Sequence, residues 1–182
     1  CLAPNNKNLQ SFGIKMSHSG LRKVISLIDK FTELTGKAIA WLTLAMVLVS
    51  FIIVVLRYGA GIGWIAMQES VLYLHAIVFM LGAAYTLKSD GHVRVDIFYQ
   101  KFNDLQKAKV NLFGAIFFLL PTCIAIFVLS YDYVVTSWQI MEKSVEAGGL
   151  PLVYLNKSLI LLLCLSLGLQ GVAEMLRNID VI

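Results

Sequence analysis

Charge is what this chain has least of. Only 14% of its 182 residues are Asp, Glu, Lys or Arg, where a soluble domain carries about a quarter. A solvated surface cannot be built from so few, which argues against a disordered chain, a nucleic-acid-binding domain or an ordinary soluble enzyme. Histidine is scarce as well, confined to His18, His75 and His92. A bis-histidine haem site needs two facing ligands, and only His75 lies within an apolar run. Three cysteines, Cys1, Cys123 and Cys164, contain no CxxC pair and no even-numbered framework, so neither a disulfide scaffold nor a cysteine metal site is expected. The two inside apolar runs read as small hydrophobes. Carboxylates are missing from the middle of every apolar run. Carriers that couple to protons or cations place ionisable groups there, so this chain alone has no evident coupling site. Ser70 and His75 stand five apart with no third group to orient them, which does not make a nucleophilic centre.

What the sequence has instead is apolar length. Hydrophobic residues make up 58% of it, and the mean hydropathy is +0.77. Four runs, at 38–56, 70–87, 112–131 and 158–176, approach the ~20 residues that cross ~30 Å of hydrocarbon. Lipid cannot satisfy backbone polar groups, so the runs are helices. The expected fold is an all-α integral membrane protein with four transmembrane helices. Residues 21–182 form one membrane domain, and 1–20 read as a polar leader. Pro121 is expected to kink the third span, and Gly82, Gly168 and Gly171 to permit close helix contacts. His75 is expected to make a helix-to-helix hydrogen bond. Gly148-Gly149-Leu150-Pro151 punctuates a turn.

The basic residues are unevenly placed. Six lie within residues 1–37, five between the second and third spans, and Arg177 near the end. The opposite side has only Arg57, Lys143 and Lys157. The positive-inside bias therefore places both termini in the cytoplasm. It also explains the net charge of +4 without nucleic acid as a partner. Two segments are amphipathic. Leu21, Val24, Ile28 and Phe31 recur at helical spacing before the first span, as in a helix lying in the membrane interface. Phe98, Phe102 and Leu105 share a face in 97–109. Either segment serves as a lipid anchor or as a partner-helix contact.

Residues at the span ends are the remaining candidates. Arg57-Tyr58 closes the first span, and Trp64 and Glu69 open the second. Arg57 and Glu69 sit at one depth and either pair or snorkel separately. Tyr58, Trp64 and Trp138 fit an external aromatic belt. Gly91-His92-Val93-Arg94-Val95-Asp96 follows the second span. His92 and Asp96 stand four apart but lack a further ligand, so no metal site is expected. The external loop carries Glu142, Lys143 and Glu146, and Lys157 opens the fourth span.

These residues, in this order, resemble the small membrane subunit of TRAP (tripartite ATP-independent periplasmic) transporters. The resemblance runs from Arg57-Tyr58 through Trp64, Glu69, Gly82-Ala83-Ala84 and Gly91–Asp96. It continues through Gly148-Gly149-Leu150-Pro151, Lys157 and Leu169-Gln170-Gly171, and covers about residues 25–177. It implies a multi-pass subunit of the bacterial inner membrane, without catalytic or cofactor residues of its own. The implied partners are a large membrane subunit, which carries the substrate and sodium sites, and a periplasmic binding protein that delivers an organic anion, typically a carboxylate. Membrane lipid surrounds both subunits. Arg57, Tyr58, Trp64, Glu69, His92, Asp96 and Lys157 are then candidate structural or partner contacts. Glu142, Lys143 and Glu146 are candidates for docking the binding protein. Two other readings stay open: a self-contained homo-oligomeric channel or carrier, and a four-helix membrane redox protein.

Overall fold

The computed structural model describes residues 19–92, 99 and 101–182, with side chains from Lys23 onward. Asp96 and the leader before Ser19 lie outside the described residues. Among the described residues the helices run α1 (Ser19–Gly59), α2 (Ile65–Lys88), α3 (Asp104–Gly114), α4 (Leu120–Gln139) and α5 (Val153–Val181), with a π-helical turn at Ala115–Leu119 joining α3 to α4. No strand occurs among the described residues. Among the described residues four helical stretches are long and apolar enough to cross a membrane, counting Asp104–Gln139 as one.

The first span and the amphipathic segment before it form one helix rather than two. No proline interrupts residues 19–59, so nothing stops the backbone ladder. The 41 residues of α1 extend about 60 Å, roughly twice the hydrocarbon thickness. The inward face also differs from the apolar stripe expected from spacing. Ile25, Thr32 and Ile39 are buried, whereas Val24 and Phe31 are 49% and 57% exposed. The packed seam therefore runs through Ile25, Asp29, Thr32, Gly36 and Ile39, at the alternating three- and four-residue spacing of a left-handed helix contact.

Of the second amphipathic segment only residues 104–109 belong to the helix that leads into its span; Phe102 precedes the helix cap and does not share a helical face with Leu105, and Phe98 lies outside the described residues. Asn103 caps α3 by accepting from the Gln106 N–H at 2.8 Å, and Gln106 Oε1 accepts from the Asn103 N–H at 3.0 Å. This is a complete capping box. The helix then widens before Pro121. Proline has no N–H, and its ring crowds the carbonyl four residues back. The Leu120 N–H accordingly reaches the Ala115 carbonyl, five residues back, and the helix continues without a break.

α5 is the central element. It packs against α1, α2, α3, α4 and the π turn, whereas α1 packs chiefly on α2 and α5. In its most apolar window 28% of residues are buried, against 6% in α1 and in α2. Small residues dominate the interior: Ala84, Ala108, Ala115, Cys123, Cys164 and Ala173 are all buried. Small side chains let helices approach where lipid supplies no hydrophobic drive. Both buried cysteines are free thiols. Gly171 serves the same end, because a Cβ there would stand 2.6 Å from Leu119 Cδ2. Gly82 and Gly168 do not, since a Cβ at either would meet nothing within 4 Å. Their faces are open in this chain, contrary to the expectation of close contacts. His75 is also exposed. It stacks on Phe79 at 6.3 Å and forms no hydrogen bond among the described residues, again because that face of α2 has no helix opposite it.

A polar network joins α1 and α2 to α5 near the chain termini. Gln170 is fully buried; its Oε1 accepts from Thr32 Oγ1 at 2.9 Å, and its Nε2 donates to Asp29 Oδ1 at 3.3 Å. Arg177 pairs with both Asp29 and Glu174. Lys88 at the end of α2 donates to the Asp29 carbonyl at 3.1 Å and to Glu33 at 3.0 Å. Glu33 also pairs with Lys37 on the exposed side of α1. Three cations meet three carboxylates, so the cluster is neutral.

Arg177→Ala strands two partly buried carboxylates and should cost about 2–3 kcal/mol, while Lys37→Ala, at an exposed pair, should cost under ~0.5 kcal/mol; unfolding in mixed detergent–SDS micelles measures both. At Gly36 a Cβ would stand 2.3 Å from a Tyr85 ring carbon. Gly36→Ala should therefore destabilise by about 1–2 kcal/mol, because overpacking outweighs the ~1 kcal/mol gain in helix propensity. Gly82→Ala should stabilise the isolated chain slightly in the same assay.

Candidate functional site: the loop end of the membrane domain

The end of the domain away from the termini is built from two connections, 60–64 and 140–152. The first is a tight reversal in which Ala60 and Ile62 N–H both reach the Leu56 carbonyl, with Gly61 at φ +67. The second is a folded loop. Ser144 N–H donates to Leu150 O at 3.2 Å, and Gly149 N–H to Glu146 O at 3.0 Å. Gly148 takes φ +81, a conformation that favours glycine. The turn expected at Gly148-Gly149-Leu150-Pro151 is thus formed.

Glu69 organises this loop from α2. The Leu150 N–H donates to Glu69 Oε2 at 2.6 Å, and Ser144 Oγ donates to Oε1. A Cβ at Gly149 would stand 2.8 Å from Glu69 Oε1, so the carboxylate approaches only because that residue is glycine. One side chain on α2 thereby ties down the connection between α4 and α5. Arg57 takes no part: it is exposed and forms no ion pair among the described residues. Of the two arrangements open for Arg57 and Glu69, the structure has the unpaired one, because the loop occupies both carboxylate oxygens.

A second tie lies on the other side of the same loop. Lys157 Nζ stands 2.5 Å from Glu142 Oε2 and 3.9 Å above the Tyr133 ring centroid. The ammonium donating to Glu142 holds its carboxyl below the usual carboxylate range. Glu142 is therefore turned inward, whereas Lys143 and Glu146 are exposed. Between them Val145 is 99% exposed. Trp138 Nε1 donates to Ser158 Oγ at 2.8 Å, and its ring meets Tyr154 edge-on at 4.7 Å. With Tyr58 and Trp64, both exposed, these aromatics gather at the loop end, as a belt requires. His92 is exposed at the opposite end, beyond α2.

The structure thus brings together Glu69, Glu142 and Lys157 around one loop, and leaves Arg57, Tyr58, Trp64, Lys143 and Glu146 facing outward. Sequence reading missed Ser144 and the Leu150 amide as partners of Glu69. It also missed Asp29 and Thr32 at the opposite end. The signal for the latter was present: Gln170, Glu174 and Arg177 recur at helical spacing on one face of an apolar helix.

Glu69→Ala should free the loop without unfolding the helices. Loss of a charge-assisted bond to the Leu150 amide removes about 1.5–3 kcal/mol. Amide exchange over 144–150 should accelerate at least about tenfold, with exchange in α5 unchanged.

The family model for the DctQ component of tripartite ATP-independent periplasmic transporters matches residues 46–181. No curated protein and no solved structure matches the chain.

Proposed function

Because this chain belongs to the family of DctQ components, the small membrane subunits of tripartite ATP-independent periplasmic transporters, we propose that it braces the large transport subunit and helps dock the periplasmic binding protein. Family membership implies both partners and a multi-pass place in the inner membrane. The transported substrate is an organic anion, a carboxylate by class. Uptake is coupled to sodium at sites in the large subunit, and this chain itself carries no cofactor. The basic bias puts both termini in the cytoplasm and the 140–152 loop in the periplasm.

One observation carries the docking reading. Glu69 fixes the base of the loop, so Lys143, Val145 and Glu146 are presented on a held scaffold. A partner that binds a preordered loop loses less conformational entropy. The bracing reading is supported by the central place of α5 and by the open faces of α1 and α2. Polar groups gather at the two ends of the domain, and the middle of each span is apolar, as suits a part that does not itself bind the moving ion.

Reconstitution of the three components in vesicles tests this. Carboxylate uptake should require this chain and an inward sodium gradient. The double reversal Lys143→Glu/Glu146→Lys should raise the binding-protein concentration for half-maximal uptake by about 3–10-fold, with the large subunit still co-purifying. Undiminished uptake without this chain would refute the bracing role, and an unchanged concentration dependence would refute docking at the loop.

A further inference from the structure

His75 is the exception to the apolar middles of the spans. It lies in α2 between Ile65 and Lys88, about 2 Å along the axis from the helix midpoint. Its side chain faces out of the chain. The ring stacks on Phe79 and has no hydrogen-bond partner among the described residues. Elsewhere in the spans, Thr43, Ser50 and Thr86 donate to the carbonyl four residues back, and Gln170 is bonded to α1. No such bond serves His75. Water is also out of reach, since the ends of α2 stand about 15 and 20 Å away along the axis and imidazole has no long flexible stem. Hydrocarbon offers a polar side chain no hydrogen bond, so ionisable residues in membrane helices face a protein interior or a water-filled cavity. An outward-facing His75 marks a surface that another protein completes.

The residues beside it form a seam. Gln68, Leu72, His75, Phe79 and Gly82 follow one another at alternating four- and three-residue spacing. Gln68 is exposed, as are Leu72 at 65% and Phe79 at 71%. At Gly82 a Cβ would meet nothing within 4 Å. This spacing suits a second helix crossing at about 20°. The bare backbone at Gly82, next to the bulk of Phe79, gives the face a hollow beside a ridge, and membrane helices approach one another most closely at small residues. The chain's own helices leave the seam open, because α2 packs chiefly on α1 and α5 and neither covers this side.

Family membership supplies the occupant, since these transporters have a further membrane component. α2 is also suited to bear it. Glu69 near one end holds the 140–152 loop, and Lys88 at the other holds α1 through the Asp29 carbonyl and Glu33. Load applied to α2 therefore passes to the rest of the subunit at both ends. We infer that this face of α2 seats a transmembrane helix of the large transport subunit, which presents a hydrogen-bonding side chain to His75 and packs closely at Gly82. The contact rests on the bracing role and gives it a location. The imidazole supplies one polar bond at mid-membrane depth, which fixes the register of the two helices where apolar packing alone would let them slide.

Photocrosslinking in the co-expressed complex tests the placement: a photoreactive residue at Leu72 or at Phe79 should capture the large subunit. Association measured with the tagged chain in nanodiscs is the second readout. His75→Leu should weaken it about three- to tenfold, and His75→Gln, which keeps a donor and an acceptor, should restore most of the loss. Gly82→Ala should weaken association to a similar degree while the isolated chain becomes slightly more stable. That opposition of sign separates a docking face from a position needed for folding. His75→Leu should likewise leave unfolding of the isolated chain in mixed detergent–SDS micelles unimpaired. Crosslinks to lipid alone would overturn the contact. So would association unchanged by His75→Leu and Gly82→Ala in a wild-type complex that forms and supports uptake, and the bracing role would then stand with another face. Crosslinks to a second copy of this chain would overturn it in favour of a homodimer. Failure of the wild-type chain to retain the large subunit would overturn the bracing role and this contact with it.

Discussion

The fold depends on how polar groups are paired at the ends of helices whose middles face lipid. Asp29, Thr32, Gln170, Glu174 and Arg177 form one connected set between α1 and α5, and Lys88 joins α2 to it. Side chains of this kind are costly near hydrocarbon unless they satisfy one another. Once paired, they specify register: a shift of α1 by one turn against α5 would leave Gln170 without Thr32 and Arg177 without Asp29. Apolar contacts between helices cannot do this alone, because lipid tails are as apolar as leucine.

The same logic governs the loop end with a different device. There the ionisable groups tie down a connecting loop rather than one helix to another. Glu69 on α2 holds the backbone of the 140–152 loop, and Lys157 on α5 draws Glu142 inward from the same loop. The two ties act from opposite sides, so the loop is fixed to the helices it joins and to one it does not. A subunit that serves as a brace needs this property, since force from a moving partner is transmitted only through connections that do not yield. Between the two ends the helices are joined mainly by small residues packed on α5, and much of the outer surface of α1 and α4 is apolar and open.

The sequence made the spans legible because hydropathy averages over about twenty residues and is insensitive to packing detail. All four expected runs lie within helices, and the helices are longer at their ends, where apolar composition gives way to polar residues that still favour helix. The amphipathic segment before the first span was visible, but its inward face was not. Its apolar stripe at Val24 and Phe31 suggested one side, whereas the buried side contains Asp29 and Thr32, whose partners lie about 140 residues away. Gly82 and Gly171 look alike in sequence, yet only Gly171 receives a neighbouring side chain. Glu69 was singled out for its position, with pairing to Arg57 left open, but its actual partner, a backbone amide eighty residues on, has no local signal.

By itself, then, the sequence determined that this is a four-span membrane protein with its polar chemistry at the ends. Those features follow from local composition and from the cost of exposing backbone to lipid. Tertiary structure alone decided that α5 is the centre, that Arg177 faces Asp29, and that Glu69 holds a loop rather than Arg57. Each of these turns on which helix faces stand opposite one another. Side chains on an apolar helix have no intrinsic inside, so the choice among faces is made by long-range pairing that no local pattern encodes.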